Sequence, residues 1–180
     1  MPDINPLLDR NQHFVTTGAY EGAPIYPRRE VCVVTCLDPR TDPANFLELE
    51  AGDAVVMRNA GGRVNQALID DLAFITYLSE TKIKPDGPLF EVAIIHHNKC
   101  GTSFLANQEF RHSFADHVGG DEAALADEAV TDPQQTVKHD VELLRAATTV
   151  STKITVSGHV YDVDTGTLTT VVPAAPMFTV

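Results

Sequence analysis

Two short strings, far apart along the chain, carry the side chains best suited to chemistry. The first covers residues 36–40 and reads CLDPR, and the second covers residues 97–101 and reads HNKCG. Together they supply two thiols, an imidazole, a carboxylate and a guanidinium. Cysteine and histidine are the ligands that zinc prefers, and three protein ligands leave the fourth coordination position open for water. The strings therefore predict a catalytic zinc site in which the nearby carboxylate orients that water.

The spacing inside the first string indicates which of its side chains act together. Cys36 and Asp38 are two positions apart, so they point the same way in extended chain, and Arg40 continues that side if the extension persists. Pro39 disfavours helical geometry at Asp38, which keeps the stretch extended. The string therefore predicts that Asp38 and Arg40 stand beside the Cys36 thiol.

In the second string, two residues separate His97 from Cys100, a spacing that suits chelation of one metal ion from a tight turn. Because His96 adjoins His97, the choice of His97 as the ligand rests on this spacing alone.

The third cysteine, Cys32, is in phase with Cys36, but a regular strand would separate the two by about 13 Å. We therefore assign Cys32 to the core.

The elements that must position these strings are predicted from apolar periodicity and turn signals. Strands are predicted at residues 31–36, 54–57, 89–95, 154–163 and 167–172, the last two joined by a turn at 164–166. A helix is predicted over residues 64–80, helical pieces over 102–132, and helix starts at Thr41 or Asp42 and at Thr131 or Asp132. This alternation predicts an α/β fold with a largely parallel sheet and an antiparallel strand at one edge.

This order of elements brings the two strings together. Cys36 ends the first predicted strand, and His97 follows the third. Open α/β sheets bind ligands outside the carboxyl ends of their strands. We therefore expect both strings to line one crevice.

Composition narrows the possible partners. The 180 residues suit one domain, and the net charge of −12 disfavours nucleic acid and anionic membrane surfaces, both of which attract basic patches. No apolar run is long enough to cross a bilayer, and the first ten residues lack the pattern of a secretory signal. An odd count of three cysteines disfavours a disulfide framework. We expect a cytoplasmic protein that acts on a small molecule.

The two strings, with the segment between them, resemble the β-class carbonic anhydrases. The matching residues are CLDPR at 36–40, GD at 52–53 leading into RNAG at 58–61, and HNKCG at 97–101, in the family's order. The strand and helix pattern agrees from residue 31 to residue 172. The chain is most similar to the compact branch of the family, which also contains carbonyl sulfide hydrolases.

The resemblance implies a role for each residue of the two strings. Cys36, His97 and Cys100 would bind one zinc ion per subunit. Asp38 and Arg40 would form a dyad in which the arginine holds the aspartate and the aspartate accepts a hydrogen bond from zinc-bound hydroxide. In some relatives the aspartate instead binds zinc and closes the site.

The resemblance also implies an architecture. The sheet order would be 2-1-3-4-5, with the last strand antiparallel. The chain, residues 1–180, would form one domain, and residues 1–30 would form an arm that packs on a partner subunit. The assembly would be a homodimer or a dimer of dimers.

Two positions depart from the family pattern within the strings or beside them. Pro39 stands where relatives more often carry a small residue, and Thr102 stands where a second glycine often follows the Cys-Gly pair. Both changes bear on the pose of the dyad and on the pocket wall. By proximity in sequence, the apolar wall is predicted to include Phe46, Leu47, Phe104 and Leu105.

Three functions follow as hypotheses. The first is attack of zinc hydroxide on carbon dioxide to give bicarbonate; the second is hydrolysis of carbonyl sulfide to carbon dioxide and hydrogen sulfide by the same nucleophile. Two thiolate ligands reduce the charge of the site, which predicts activity that rises through mildly alkaline pH. The third hypothesis is a catalytically silent zinc domain used for interaction, against which the intact Asp38–Arg40 pair counts.

Overall fold

The computed structural model of the chain describes residues 3–178. Its strands are β1 (Val31–Cys36), β2 (Val55–Asn59), β3 (Glu91–His97), β4 (Thr155–Tyr161) and β5 (Leu168–Pro176). Its α-helices are α1 (Asn5–Thr17), α2 (Pro43–Phe46), α3 (Gln66–Leu78), α4 (Gln108–Val118), α5 (Glu122–Asp127) and α6 (Pro133–Arg145).

The five strands form one sheet in the order β2-β1-β3-β4-β5. The pairs β1–β2, β1–β3 and β3–β4 are parallel, and β4–β5 is antiparallel. The predicted α/β class, strand order and antiparallel edge are confirmed. Strand β1 lies between two parallel neighbours, which explains its continuous apolar sequence.

Most of the core lies on one face of the sheet. Helices α3 and α6 pack there, and Leu72, Val137 and Leu144 are fully buried against strand residues such as Val34 and Ile94. Cys32 belongs to this core, as predicted, and burial raises the pKa of its thiol to about 12. The Cys32 side chain is fully buried among these apolar residues and therefore belongs to the packing of the core.

The opposite face carries a smaller cluster. Val33, Ile95 and Tyr161 are buried there because side chains alternate between faces along a strand. Phe46 at the end of α2 stacks on Tyr161, with ring centroids 4.4 Å apart.

Helix α1, in the predicted arm 1–30, has no buried residue. The first two residues of that arm lie outside the described residues.

Several predicted boundaries shift, each for a local reason. The Asp42 and Asp132 side chains accept backbone N–H groups at the starts of α2 and α6, so aspartate rather than the preceding threonine is the cap. Helix α2 ends at Phe46, so Leu47 and Leu49 lie beyond it.

Strand β3 runs further than predicted, through His96 and His97, because both residues pair with β4 in the ladder. His97 therefore ends the strand instead of following it.

Among residues 3–178, no helix combines the length and apolar character needed to cross a membrane.

Candidate active site

The two strings meet at the carboxyl ends of β1 and β3. Cys36 is the last residue of β1, His97 is the last residue of β3, and Cys100 follows a tight turn in which Lys99 has a positive φ of 52°. All three side chains are buried. The Cys36 and Cys100 sulfurs lie 3.8 Å apart, and the ligand atoms of the three residues lie within 4.8 Å of one another. We call these three residues the thiol cluster.

The His97 imidazole presents an unpartnered nitrogen in this cluster. Its Nδ1 lies 2.8 Å from the Asn98 carbonyl oxygen. A carbonyl only accepts hydrogen bonds, so Nδ1 carries the proton and Nε2 keeps its lone pair. That Nε2 is buried and has no hydrogen-bond partner among the described residues. A buried acceptor without a partner is costly unless a ligand occupies it.

The neighbouring His96 has a different environment. Its Nδ1 lies 2.8 Å from the Thr136 hydroxyl, and its Nε2 lies 3.2 Å from the Gly62 carbonyl and 3.3 Å from an Asp140 carboxylate oxygen. Successive side chains of a strand point to opposite faces, which directs His96 away from the thiols. Only His97 thus has a nitrogen available to a ligand.

The donor set fits a zinc ion. Two thiolate sulfurs that are each ~2.3 Å from one tetrahedral ion lie about 3.8 Å apart. The separation of the two sulfurs in the structure is also 3.8 Å, well beyond the length of a disulfide bond. Two thiols and one imidazole with a bare nitrogen are three of the four ligands that such an ion takes.

The two thiols are electrostatically coupled. The hydrogen bond between them lowers the pKa of Cys100 well below its usual range and raises that of Cys36. The hydrogen bond therefore favours a metal-free state in which the two sulfurs share one proton. A metal ion that binds both sulfurs displaces this proton, so binding weakens as the pH falls.

Asp38 and Arg40 lie beside the thiols and form the predicted pair. The Arg40 Nε and Nη2 atoms donate to the two carboxylate oxygens of Asp38 at 2.9 and 2.6 Å. Hydrogen bonds from Arg40 hold the pKa of Asp38 at about 2. Arg40 Nη2 also donates to the Lys99 carbonyl at 3.0 Å, which ties the first string to the second. In this arrangement Asp38 faces its arginine and is not part of the thiol cluster.

A second arginine holds the backbone of the first string. Arg58, at the end of β2, donates from Nε to the Cys36 carbonyl at 3.0 Å and from Nη2 to the Asp38 carbonyl at 2.7 Å. Sequence reasoning used Arg58 as part of a family motif but gave it no role. Its contacts indicate that it fixes the loop that carries Cys36 and Asp38.

A buried ion pair, missed by sequence reasoning, lies next to the thiol cluster. Arg63 donates from Nε and Nη2 to the two Asp140 oxygens at 2.8 and 2.9 Å, and His96 approaches the same carboxylate. Burial alone would raise the pKa of Asp140, but the hydrogen bonds from His96 and Arg63 outweigh it and hold the pKa at about 2. We call Arg63, His96 and Asp140 the ion-pair cluster. No sequence pattern joins residues so far apart.

The ion-pair cluster holds the loop that seats against β1. The Gly62 carbonyl faces His96, and Gly62 has a φ of 68°. A Cβ atom at this position would lie 2.8 Å from the carbonyl carbon of Thr35, so only glycine allows the close approach. The loop at 60–62 is thereby fixed against the strand end that carries Cys36.

A cavity of about 260 Å³ opens beside the thiol cluster. Its lining combines Cys36 and Asp38 with Leu37, Pro39, Ala60, Gly61, Gly101 and Thr102. The predicted wall residues are not in this lining. Phe46 packs on Tyr161, Phe104 packs on Phe110, and Leu105 is buried. Proximity in sequence misled here because the wall comes mainly from loops after β1 and β2, whose approach only the fold decides.

An open α/β sheet with two cysteines and a histidine at adjacent strand ends, beside an aspartate–arginine pair, defines an α/β protein with a candidate metal-binding site. The family model described as carbonic anhydrase matches residues 31–168. The chain belongs to the β-class carbonic anhydrase family.

Sequence relatives support this assignment. Beta-carbonic anhydrase 1 of Mycobacterium tuberculosis is 28% identical over 150 residues, which cover 83% of this chain and 86% of that protein. A carbon disulfide hydrolase of an Acidianus species is 24% identical over 160 residues, which cover 76% of this chain and 74% of that protein.

A solved structure of similar length shares the whole fold. The crystal structure of a carbonic anhydrase from Streptococcus mutans has a TM-score of 0.77 and 32% sequence identity, covering 95% of this chain and 98% of that one. The near-complete overlap agrees with the compact branch of the family.

Proposed function

We propose that the chain is a zinc enzyme that hydrates carbon dioxide reversibly to bicarbonate. One observation carries the proposal. The buried Nε2 of His97 has no protein partner and lies within 4.8 Å of the Cys36 and Cys100 sulfurs. The paired Asp38 and Arg40 stand next to these atoms. The family assignment agrees with this reading.

Cys36, His97 and Cys100 would hold the ion, with Nδ1 of His97 donating to Asn98 so that the imidazole keeps its orientation. A bound zinc ion with an open coordination position would act as a Lewis acid that makes water a nucleophile near neutral pH. Asp38 stays ionised at neutral pH because Arg40 holds its pKa near 2, so its carboxylate only accepts hydrogen bonds. It orients the attacking O–H group and cannot act as the proton donor.

The cavity lining favours a small apolar substrate. Leu37, Pro39, Ala60 and Gly61 offer carbon atoms and no ionisable group. Such a wall excludes bulk water and accepts a linear molecule that lacks charge. Carbon dioxide meets this description, and so does carbonyl sulfide.

Hydrolysis of carbonyl sulfide is therefore the alternative function. The apolar lining favours it, and so does similarity to a protein named carbon disulfide hydrolase. Zinc-loaded protein should be assayed for carbon dioxide hydration and for sulfide release from carbonyl sulfide in one preparation. Fast hydration with trace sulfide supports the first function, and fast sulfide release with feeble hydration supports the alternative.

Asp38→Ala separates an enzyme from a silent zinc domain. If Asp38 orients the nucleophile, turnover falls by about 100-fold or more. Zinc content stays at one ion per chain because the thiol cluster is intact. The control is Asp116→Asn, an exposed carboxylate on α4 that should keep full activity. Equal turnover in Asp38→Ala and the parent would contradict the assigned role.

We also propose that the protein is a homodimer or a dimer of dimers in the cytoplasm. Helix α1 buries none of its side chains, although Leu7, Leu8 and Phe14 are apolar. A contiguous apolar face of this kind is typical of an interface. Sedimentation analysis should give a dimer or tetramer, and removal of residues 1–17 should shift the distribution toward monomer. A monomeric parent protein would contradict the proposal.

A further inference from the structure

Thr102 contacts one sulfur of the thiol cluster. It lies in the 3₁₀ segment Gly101–Ala106, just after Cys100, and its Oγ1 is 3.2 Å from the Cys100 sulfur. The same Oγ1 accepts a hydrogen bond from the Val130 N–H at 3.3 Å. Among residues 3–178, the Thr102 hydroxyl has no other hydrogen-bond partner.

These two contacts fix the direction of the hydroxyl hydrogen. A threonine hydroxyl has one hydrogen and two acceptor lone pairs. The Val130 N–H can only donate, so it occupies a lone pair of Oγ1 and leaves the hydrogen free to point at the sulfur. A Cys100 thiolate, which is the form that binds a metal ion, carries no hydrogen, so Thr102 is the donor toward it.

The surroundings hold Thr102 in this position. Val130, Cys36 and Cys100 form a small buried cluster. A Cβ atom on Gly61 would lie 3.3 Å from both Thr102 Oγ1 and Val130 Cγ2, so the neighbouring loop packs closely against them. A hydrogen bond in such apolar surroundings is stronger than one in water.

We propose that Thr102 is a positioning residue, which donates a hydrogen bond to the Cys100 thiolate and thereby reduces the electron density that this ligand gives to a bound metal ion. Within residues 3–178, Cys36 receives no comparable hydroxyl donor; its sulfur accepts from the Asp38 backbone N–H at 3.4 Å. The two thiolates are thus unequal ligands. The inference rests on the proposed function, because it requires a metal ion at Cys100.

Thr102→Val tests the hydroxyl, because valine keeps the shape and the backbone N–H and removes both the donor toward Cys100 and the acceptor of the Val130 N–H. Thr102→Ser keeps the donor, and Thr102→Ala differs from serine by one oxygen atom. Zinc affinity is measured at fixed pH by competition with a chromogenic chelator. The position of the thiolate-to-metal charge-transfer band is measured with cobalt(II) in place of zinc.

We expect Thr102→Val and Thr102→Ala to weaken zinc binding by about 10-fold, because the Cys100 sulfur loses the hydrogen bond that holds it in position, whereas Thr102→Ser stays within about 2-fold of the parent. The cobalt band should move to longer wavelength in the valine and alanine variants, because a more electron-rich sulfur is easier to oxidise. The alanine–serine pair decides the question if the valine variant does not fold.

Each remaining outcome overturns a different statement. Parent-like affinity and band position in the valine and alanine variants would overturn the role of Thr102. Equal weakening in all three variants, the hydroxyl-bearing serine variant included, would show that the hydroxyl is not the cause and would overturn the role as well. If the parent protein binds neither zinc nor cobalt, the proposed function fails instead.

Discussion

Two buried polar clusters lie side by side at the carboxyl end of β3, and they differ in how completely they are satisfied. In the ion-pair cluster, Asp140 accepts from Arg63 and from the Val64 N–H, and both nitrogens of His96 have partners. In the thiol cluster, one nitrogen of His97 has no partner in the part of the chain that the structure describes. Adjacent histidines on one strand thus belong to two kinds of site.

The difference distinguishes buried polar groups that stabilise the fold from buried polar groups that are available to a ligand. A buried polar group costs free energy unless it is hydrogen-bonded, so a complete network is what stability alone requires. The thiol cluster departs from this rule at His97 Nε2, beside a cavity that the cluster itself helps to line. An unpartnered imidazole nitrogen close to two thiols therefore points to a ligand, whereas the ion-pair cluster shows the paired state.

The largest loss of stability is expected from breaking the ion-pair cluster. Asp140→Asn leaves Arg63 buried without its counter-charge, which should lower the free energy of unfolding by about 3–5 kcal/mol. Urea denaturation of the metal-free protein measures this loss. The exposed control Asp116→Asn should stay within about 0.5 kcal/mol of the parent. A loss below 1 kcal/mol in Asp140→Asn would mean that the pair is not the stabilising element described here.

The next effect distinguishes the two histidines. His97→Ala removes a proposed metal ligand. Zinc affinity should therefore fall by more than ~100-fold, which is the largest loss expected for a residue that only hydrogen-bonds a ligand. His96→Ala should lower the free energy of unfolding and change zinc affinity by less than about 10-fold. Chelator competition and urea denaturation on both variants check this. The opposite pattern, zinc lost in His96→Ala and kept in His97→Ala, would reverse the ligand assignment.

A smaller effect concerns acid stability. The pKa of Asp140 is about 2 in the folded chain and near its ordinary value when unfolded. Its ionised form therefore contributes stability at neutral pH, on the order of 2 kcal/mol, and this contribution is lost as the pH falls from about 4 to 2. Urea denaturation at pH 7, 4 and 3 should show the advantage of the parent over Asp140→Asn shrinking in acid. A constant difference would exclude this titration as its source.

The sequence by itself determined much of the fold. Valine-rich β1 predicts a strand buried on both faces, and Asp42 and Asp132 before prolines predict helix starts, because these signals are local. The types and spacing of the two strings also predicted the thiol cluster and the Asp38–Arg40 pair, which the structure brings together.

Only the tertiary structure decided which histidine is available and which residues surround it. The sequence favours His97 over His96 on spacing alone, and the alternation of side chains across β3 sends His96 to Asp140 and His97 to the thiols. The cavity wall, the Arg63–Asp140 pair and the contact of Thr102 with Val130 join residues far apart in the chain. Such contacts depend on how loops and helices pack on the sheet, and a local pattern carries no information about that packing.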